Sequence, residues 1–198
     1  PWYAADPWVL THEGWEPEQS IYFETIFSQS NGYMGVRGYR EEIDNVASSV
    51  REGYLAGVFA ALPPPARKLL VHDYPWDSLQ MVSLPEIFSA RITLDGEVFD
   101  LAEGEVSSYV QTLDMRTGIM KRKVTWTSPA GKATKLCFTR FLSASTPNLA
   151  VQKISVEPVD WSGDAEIMWK YDLTEETIFR CGDPVQGNLS CSLVSVVD

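Results

Sequence analysis

The sequence predicts an all-β protein built as an antiparallel β-sandwich or barrel. From about Arg67 onward, segments that alternate apolar and polar residues recur every dozen residues or so. Turn-forming residues separate these segments, and no apolar period of 3.6 residues persists long enough to indicate a helix. We therefore expect residues 1–198 to form one β-sandwich domain.

The first third of the chain is less regular. Residues 1–65 are rich in Gly, Trp and Tyr, and we interpret them as short strands joined by long connections. Ser30-Asn31-Gly32 predicts a turn, because Asn and Gly both tolerate positive φ. Leu62-Pro63-Pro64-Pro65 can form neither a helix nor a central strand.

The later strands follow one another through recognisable turns. Asp95-Gly96 predicts a hairpin between residues 91–94 and 97–100. Further turns are expected at residues 116–118 and 128–131, which join strands 106–113, 119–127 and 132–142. The remaining predicted strands are 149–156, 165–173 and 189–197.

Composition and charge exclude several classes of function. The formal net charge is −11, and a field of that sign repels nucleic-acid backbones and anionic membrane surfaces. No run of about 18 apolar residues or signal segment is present. The odd set Cys137, Cys181 and Cys191 favours reduced thiols and a cytoplasmic location, where the sequon Asn188-Leu189-Ser190 carries no weight. A chain that opens on Pro1 suggests a trimmed or excised piece.

Candidate catalytic and metal-binding residues do not combine into a site. Two acidic clusters are interpreted as solvated loop charge: Glu13, Glu16 and Glu18, and Glu41, Glu42 and Asp44. His12 and His72 have no neighbouring ligand at metal spacing, and there is no G-x-S-x-G. Gly32, Gly35 and Gly38 lack the spacing of a phosphate-cradling turn. We predict no catalytic, cofactor or metal residue.

Two arginines and the tryptophans call for explanation. Strict alternation places Arg122 and Arg140 on strand faces that also carry large apolar side chains. We expect an internal ion pair, with Asp114 or Glu97 as partner; the alternative is a contact to another domain or a ligand. Trp126 and Trp169 are expected in the core. Burial against the sandwich or a partner domain is favoured over sugar stacking for the tryptophans of the irregular segments, Trp2, Trp8, Trp15 and Trp76.

A family resemblance joins these observations. Residues 27–38, FSQSNGYMGVRG, followed by Glu41-Glu42, resemble the hallmark near the start of glycoside hydrolase family 65 proteins, although Ser30 stands where that family commonly has Gly. Ordered similarities cover roughly residues 6–158; they include Asp6-Pro7-Trp8, 53–59, Val82-Ser83-Leu84-Pro85, 92–101, 113–118, 140–143 and Gln152-Lys153.

The resemblance implies the amino-terminal domain of a disaccharide phosphorylase or hydrolase. That domain is a large super-sandwich of the galactose-mutarotase-like type, shortened here, and a helical linker joins it to an (α/α)6 barrel that holds the catalytic glutamate and the phosphate site. The barrel is expected to be absent from this chain, so no catalytic residue is carried over.

In phosphorylase members, inorganic phosphate is the co-substrate for an α-linked disaccharide. The resemblance thus implies a non-catalytic support domain that packs on its own barrel, with a homodimer contact as a further possibility. The alternatives are a stand-alone carbohydrate-binding sandwich and an oligomerisation piece.

Overall fold

The computed structural model describes residues 6–42, 49–61 and 79–169. Over these residues the chain is mostly antiparallel strand. The elements, in chain order, are β1 (Val9–Glu13), a 3-10 turn (Pro17–Gln19), α1 (Ser20–Ile26), β2 (Gln29–Ser30), β3 (Met34–Val36), β4 (Gly53–Ala61), β5 (Leu79–Ser83), β6 (Ala90–Leu94), β7 (Glu97–Val98), β8 (Glu105–Asp114), β9 (Ile119–Thr127), β10 (Ala133–Leu142), β11 (Ala150–Pro158) and β12 (Ala165–Trp169).

Three sheets result from these strands. The largest has five strands in the order β1-β8-β9-β10-β11, the second has the order β12-β6-β7, and the third has the order β2-β3-β4-β5. Side chains from the inner faces of the first two sheets meet in one apolar cluster. Phe99, just after β7, packs edge-on against Trp126 of β9, with ring centroids 5.3 Å apart. The predicted antiparallel sandwich is confirmed.

The predicted hairpins are also confirmed. β6 and β7 pair across Asp95-Gly96, whose φ angles of 48° and 84° are those that a two-residue turn of this kind needs. β8, β9 and β10 form a meander through the predicted turns at 116–118 and 128–131. β2 and β3 pair across the Asn31-Gly32 turn.

One element departs from the prediction. α1 is a seven-residue helix in a stretch where no helical period was recognised. Two turns are too short to show an amphipathic period, and helices of this length depend on tertiary packing. Here Phe23 and Ile26 pack against the cluster of Phe27, Leu113 and Met120 on the five-stranded sheet.

Some predictions fall on residues that the structure does not describe. These are Leu62-Pro63-Pro64-Pro65, the part of strand 165–173 beyond Trp169, strand 189–197, Trp2, Trp76, His72, Asp44, Cys181, Cys191 and the sequon. Within the described residues, no helix has the length and apolar character that crossing a bilayer requires.

Candidate functional site

The motif segment, residues 27–42, runs from the end of α1 through the β2–β3 hairpin and along the inner face of the five-stranded sheet. Asn31 holds the hairpin in place. Its Oδ1 accepts hydrogen bonds from the backbone N–H groups of Tyr33 (3.0 Å) and Met34 (2.9 Å). Its Nδ2 donates to the carbonyls of Ser143 (2.7 Å) and Pro147 (2.9 Å), which ties the hairpin to the β10–β11 connection.

Gly38 is required by close backbone approach. Its N–H donates to the Glu24 carbonyl at 2.6 Å, which joins the motif segment to α1. A Cβ atom at this position would lie 2.6 Å from the Phe27 Cβ and 2.8 Å from the Phe27 carbonyl carbon. Because both neighbours are fixed parts of the chain, any side chain here forces the segment away from the helix.

Arg122 lies at the centre of a fully buried charge cluster. Its Nε and Nη2 donate to Glu41 Oε2 at 3.1 and 2.8 Å, and its Nη1 donates to Glu42 Oε1 at 2.7 Å. Nη2 also contacts Glu42 Oε2. The guanidinium lies over the Phe138 ring, 4.1 Å from its centroid. All three charged side chains are inaccessible to solvent, so the two motif glutamates share one fork-shaped donor.

Arg140, on the adjacent strand, is buried in the same cluster and bonds mainly to the motif backbone. Its Nη1 donates to the Tyr39 carbonyl (2.9 Å), its Nη2 to the Arg37 carbonyl (3.0 Å) and its Nε to Gln29 Oε1 (3.1 Å). The guanidinium is also 3.6 Å from Glu41 Oε1. Planar donors on β9 and β10 thus bind both the side chains and the main chain of the motif segment.

These contacts correct two predictions. Arg122 and Arg140 form the expected internal ion pairs, but their partners are Glu41 and Glu42, not Asp114 or Glu97. Asp114 caps its own turn, where it accepts from the Arg116 N–H and the Thr117 hydroxyl. Glu97 accepts from Ser128 Oγ and the Ala130 N–H.

The prediction that Glu41 and Glu42 are solvated loop charge is wrong, since both are fully buried. Their partners lie some eighty residues away in sequence, so local spacing gives no sign of the pairing. The other acidic cluster, Glu13, Glu16 and Glu18, is exposed as predicted.

Burial sets the electrostatics of the cluster. Desolvation alone disfavours the Glu42 carboxylate, but the Arg122 charge and hydrogen bonds, with Arg40 nearby, lower the Glu42 pKa below its ordinary value. The same carboxylates outweigh desolvation at Arg122 and raise its pKa. At Arg140, desolvation by burial outweighs the attraction of the Glu41 charge, so the pKa of Arg140 is lowered. Burial raises the pKa of the neighbouring Tyr109 hydroxyl to about 12. A closed set of ion pairs without solvent contact suits structural fixation, not proton transfer to a substrate.

A small cavity lies beside the cluster, between α1 and the β1–β8 edge. His12, Trp15, Arg40, Tyr109 and Gln111 are among its lining residues, and its volume is about 10 Å³, which is room for one water molecule. His12 stacks on Phe23 at 3.5 Å between ring centroids, and neither ring nitrogen has a hydrogen-bond partner in the described part of the chain. Desolvation lowers the pKa of His12, although Glu16 opposes the shift. A sugar ring cannot enter this space.

The other candidate residues form no second site in the described part of the chain. Among the described residues, no group of three His, Cys, Asp or Glu side chains could hold a metal ion. Trp126 is buried as predicted, and Trp15 packs against the core. The prediction that Trp169 is a core residue is wrong, because the residue is 49% exposed and β12 lies at the edge of its sheet within the described part of the chain. Trp8 is also 49% exposed, so it is not buried against the sandwich, and Arg116 lies over its ring; its burial against a partner domain stays a prediction.

Comparison with known proteins agrees with this architecture. A putative kojibiose phosphorylase from the human microbiome shares the fold, with a TM-score of 0.70 and 23% identity over 79% of this chain and 20% of that chain. The kojibiose phosphorylase of Halothermothrix orenii is 34% identical over 83% of this chain and 19% of its own length. The α,α-trehalose phosphorylase of Thermoanaerobacter brockii is 27% identical over 100% of this chain and 26% of its own length.

Strand order and packing define the chain as an antiparallel β-sandwich that shares its fold with part of the human-microbiome structure. The family profile described as "Glycosyl hydrolase family 65, N-terminal domain" matches residues 10–186. The chain therefore belongs to glycosyl hydrolase family 65 as its amino-terminal domain, and the predicted resemblance is confirmed. It spans about a fifth to a quarter of the length of these curated relatives.

Proposed function

We propose that this chain is the non-catalytic support domain of an α-glucoside phosphorylase or hydrolase. The main observation behind the proposal is the burial of the acidic side chains of the motif segment. Its glutamates, Glu41 and Glu42, are both bound by Arg122 in a solvent-free cluster, although Glu41 Oε1 accepts no hydrogen bond from the described residues. A carboxyl group that protonates a glycosidic oxygen, or activates a nucleophile, must reach the substrate.

The motif segment instead connects the β2–β3 hairpin to the central strands through buried ion pairs and hydrogen bonds. It fixes the third sheet and α1 against the five-stranded sheet, through Asn31, Gly38 and Arg140 as well as Arg122. A rigid scaffold of this kind holds its surface loops at defined positions, which a support domain requires.

The enzyme's other features belong to the remainder of the polypeptide under this proposal. An (α/α)6 barrel is the direct partner, an α-linked disaccharide is bound there, and inorganic phosphate serves as co-substrate in a phosphorylase. The single sandwich domain, the cytoplasmic location and a homodimer contact are parts of the same proposal. The phosphorylase names and lengths of the relatives support it.

The proposal is tested by determining the natural coding region and the mass of its product. A polypeptide that extends for several hundred residues beyond Asp198 and releases glucose 1-phosphate from kojibiose or trehalose supports it. A natural protein that ends near Asp198 contradicts it and makes a sandwich that functions alone the better account.

The exposed Trp8 and Trp169 favour a second candidate, a carbohydrate-binding module. Trp8 lies in the turn before β1, however, whereas Trp169 is on β12 of a different sheet and donates its Nε1–H to Gln152 Oε1 at 3.0 Å. Titration of Trp fluorescence with maltose, kojibiose and trehalose separates the candidates. The support-domain proposal predicts a flat response up to tens of millimolar sugar, whereas saturable quenching indicates a binding module.

A further inference from the structure

The outer face of the five-stranded sheet, opposite the core, is rich in lysine. The lysine face is defined by Lys121 and Lys123 on β9, Lys135 on β10 and Lys153 on β11. Each is exposed, while the strand neighbours on the inner side are buried on β9 and β10 and half-buried on β11. Four of the seven lysines in a chain of net charge −11 thus lie on one flat surface.

Strand register brings these lysines close together. Lys121 and Lys153 both lie directly opposite Thr139, one on each side of it. Lys123 follows two positions after Lys121 on the same strand face, opposite Cys137. Neighbouring like charges on a sheet are mutually repulsive, so the grouping lowers the stability of the free domain. A grouping that is unfavourable in isolation is expected where a partner of opposite charge neutralises it.

Carboxylates on the face leave most of this charge unpaired. Lys135 is 3.5 Å from Glu157 in an exposed pair. Within the described residues, Lys121, Lys123 and Lys153 form no ion pair. Glu13 of β1 and Glu105 of β8 lie at the β1–β8 side of the face, and Asp114 is engaged in its own turn. The β9–β11 part of the face therefore keeps an excess of positive charge.

Half-buried apolar side chains adjoin the lysines. Phe141 of β10 lies opposite Val151 of β11, two residues along each strand from the Thr139–Lys153 pair and on the same face. Ile119 of β9 occupies the same end of the face. A flat surface that combines partly exposed apolar groups with a charged border has the composition of a protein interface. Isologous pairing of two copies would bring lysine against lysine, which disfavours a second copy as the partner.

We propose that the lysine face docks on an acidic surface of the catalytic part of the same enzyme; this inference rests on the proposed function. Lys121, Lys123 and Lys153 pair with carboxylates of that part, and Phe141 and Val151 are covered beside them. Complementary charge then fixes the orientation of the sandwich on its partner.

Lysine acetylation of the full-length enzyme, followed by mass spectrometry, tests the proposal. Lys132, in the turn before β10, is only 30% exposed and is paired with Asp95, so it is the reference. Docking predicts that Lys121 and Lys153, exposed in the free domain, react about tenfold or more slowly than Lys132, because a packed interface excludes the reagent. Equal or faster labelling overturns the proposal.

Charge reversal provides the second test. Lys121→Glu/Lys153→Glu in the full-length enzyme should accelerate proteolytic release of the sandwich about tenfold or more, because each pair becomes a repulsion. The control Arg91→Glu/Arg116→Glu makes the same change in charge at exposed positions outside the three strands that carry the lysines, on β6 and in the β8–β9 turn, and should leave the rate unchanged. Equal release rates in the two variants contradict docking here. Before either test, the natural coding region is determined. If it contains no catalytic region after this domain, the proposed function itself is wrong.

Discussion

Replacement of Arg122 by Met tests whether the buried ion pairs of the motif segment stabilise the fold. The change keeps an apolar side chain over Phe138 and removes the guanidinium that bonds to both motif glutamates. Glu41 and Glu42 then remain buried, with Arg140 3.6 Å from one carboxylate and Arg40 3.8 Å from the other. Removing one partner from a buried ion pair costs about 3–5 kcal/mol. For a domain of this size, that corresponds to a drop of about 6–20 °C in melting temperature.

Urea denaturation followed by Trp fluorescence measures this cost, since Trp126 lies in the core. The matched control is Arg116→Met, which breaks an exposed pair with Asp6 and should cost less than about 1 kcal/mol. The deficit of the Arg122 variant should shrink as the pH is lowered from neutral, because burial without the Arg122 charge favours the protonated form of Glu42. If the loss in free energy of unfolding for Arg122→Met lies within about 1 kcal/mol of that for Arg116→Met, the Arg122 ion pairs do not hold the motif segment in place.

A rescue variant keeps the test decisive if Arg122→Met does not fold. Arg122→Met/Glu41→Gln/Glu42→Gln removes all three charges and leaves amides of similar shape. Neutralising a whole buried set costs much less than leaving part of it unpaired. We expect the triple variant to fold and to regain at least half of the lost stability; failure to improve on the single variant contradicts the electrostatic account.

Three further outcomes follow from the same geometry. Gly38→Ala should destabilise by about 1–3 kcal/mol through its clash with Phe27, whereas Gly35→Ala, with no neighbour nearer than 3.8 Å, should cost less than about 1 kcal/mol in the same urea assay. Melting temperature should fall as pH drops below about 6.5, because the lowered pKa of His12 means that the unfolded chain binds its proton first; His12→Phe should remove this part of the pH profile, and an unchanged profile contradicts it. Because the pKa of Glu42 is lowered in the folded state, its carboxylate contributes stability above pH 4.5 that is lost as the pH falls further. Melting temperature should therefore depend less steeply on pH in the acid range for Glu42→Gln than for the wild type.

Local chemistry was sufficient to predict the strands of the sandwich. Alternation across β9 and β10 assigned the buried faces, and Asp95-Gly96 assigned a turn by its backbone preference. The same alternation placed Arg122 and Arg140 inside the core. These signals are carried by a few adjacent residues, so they need no knowledge of the rest of the fold.

The partners of the arginines could not be predicted in this way. Glu41 and Glu42 lie in a segment without regular structure, where a charged pair is ordinarily solvated, and only the tertiary path brings them to β9. Asp114 and Glu97 were nearer in sequence, but their turns already use their carboxylates. Trp169 was assigned to the core because it lies in a strand, whereas its exposure depends on β12 being at a sheet edge. One signal was available: the two buried arginines demanded two buried acids, and Glu41-Glu42 is the adjacent pair within the motif.

The central claim is that this domain supports catalysis without performing it, and turnover tests it most directly. The 198-residue chain, shown to be folded by its Trp fluorescence, is incubated with kojibiose or trehalose in the presence and absence of phosphate. Release of glucose 1-phosphate and of glucose is assayed beside the full-length enzyme. The account predicts product from the full-length enzyme alone. Release of either product by the isolated chain would contradict it.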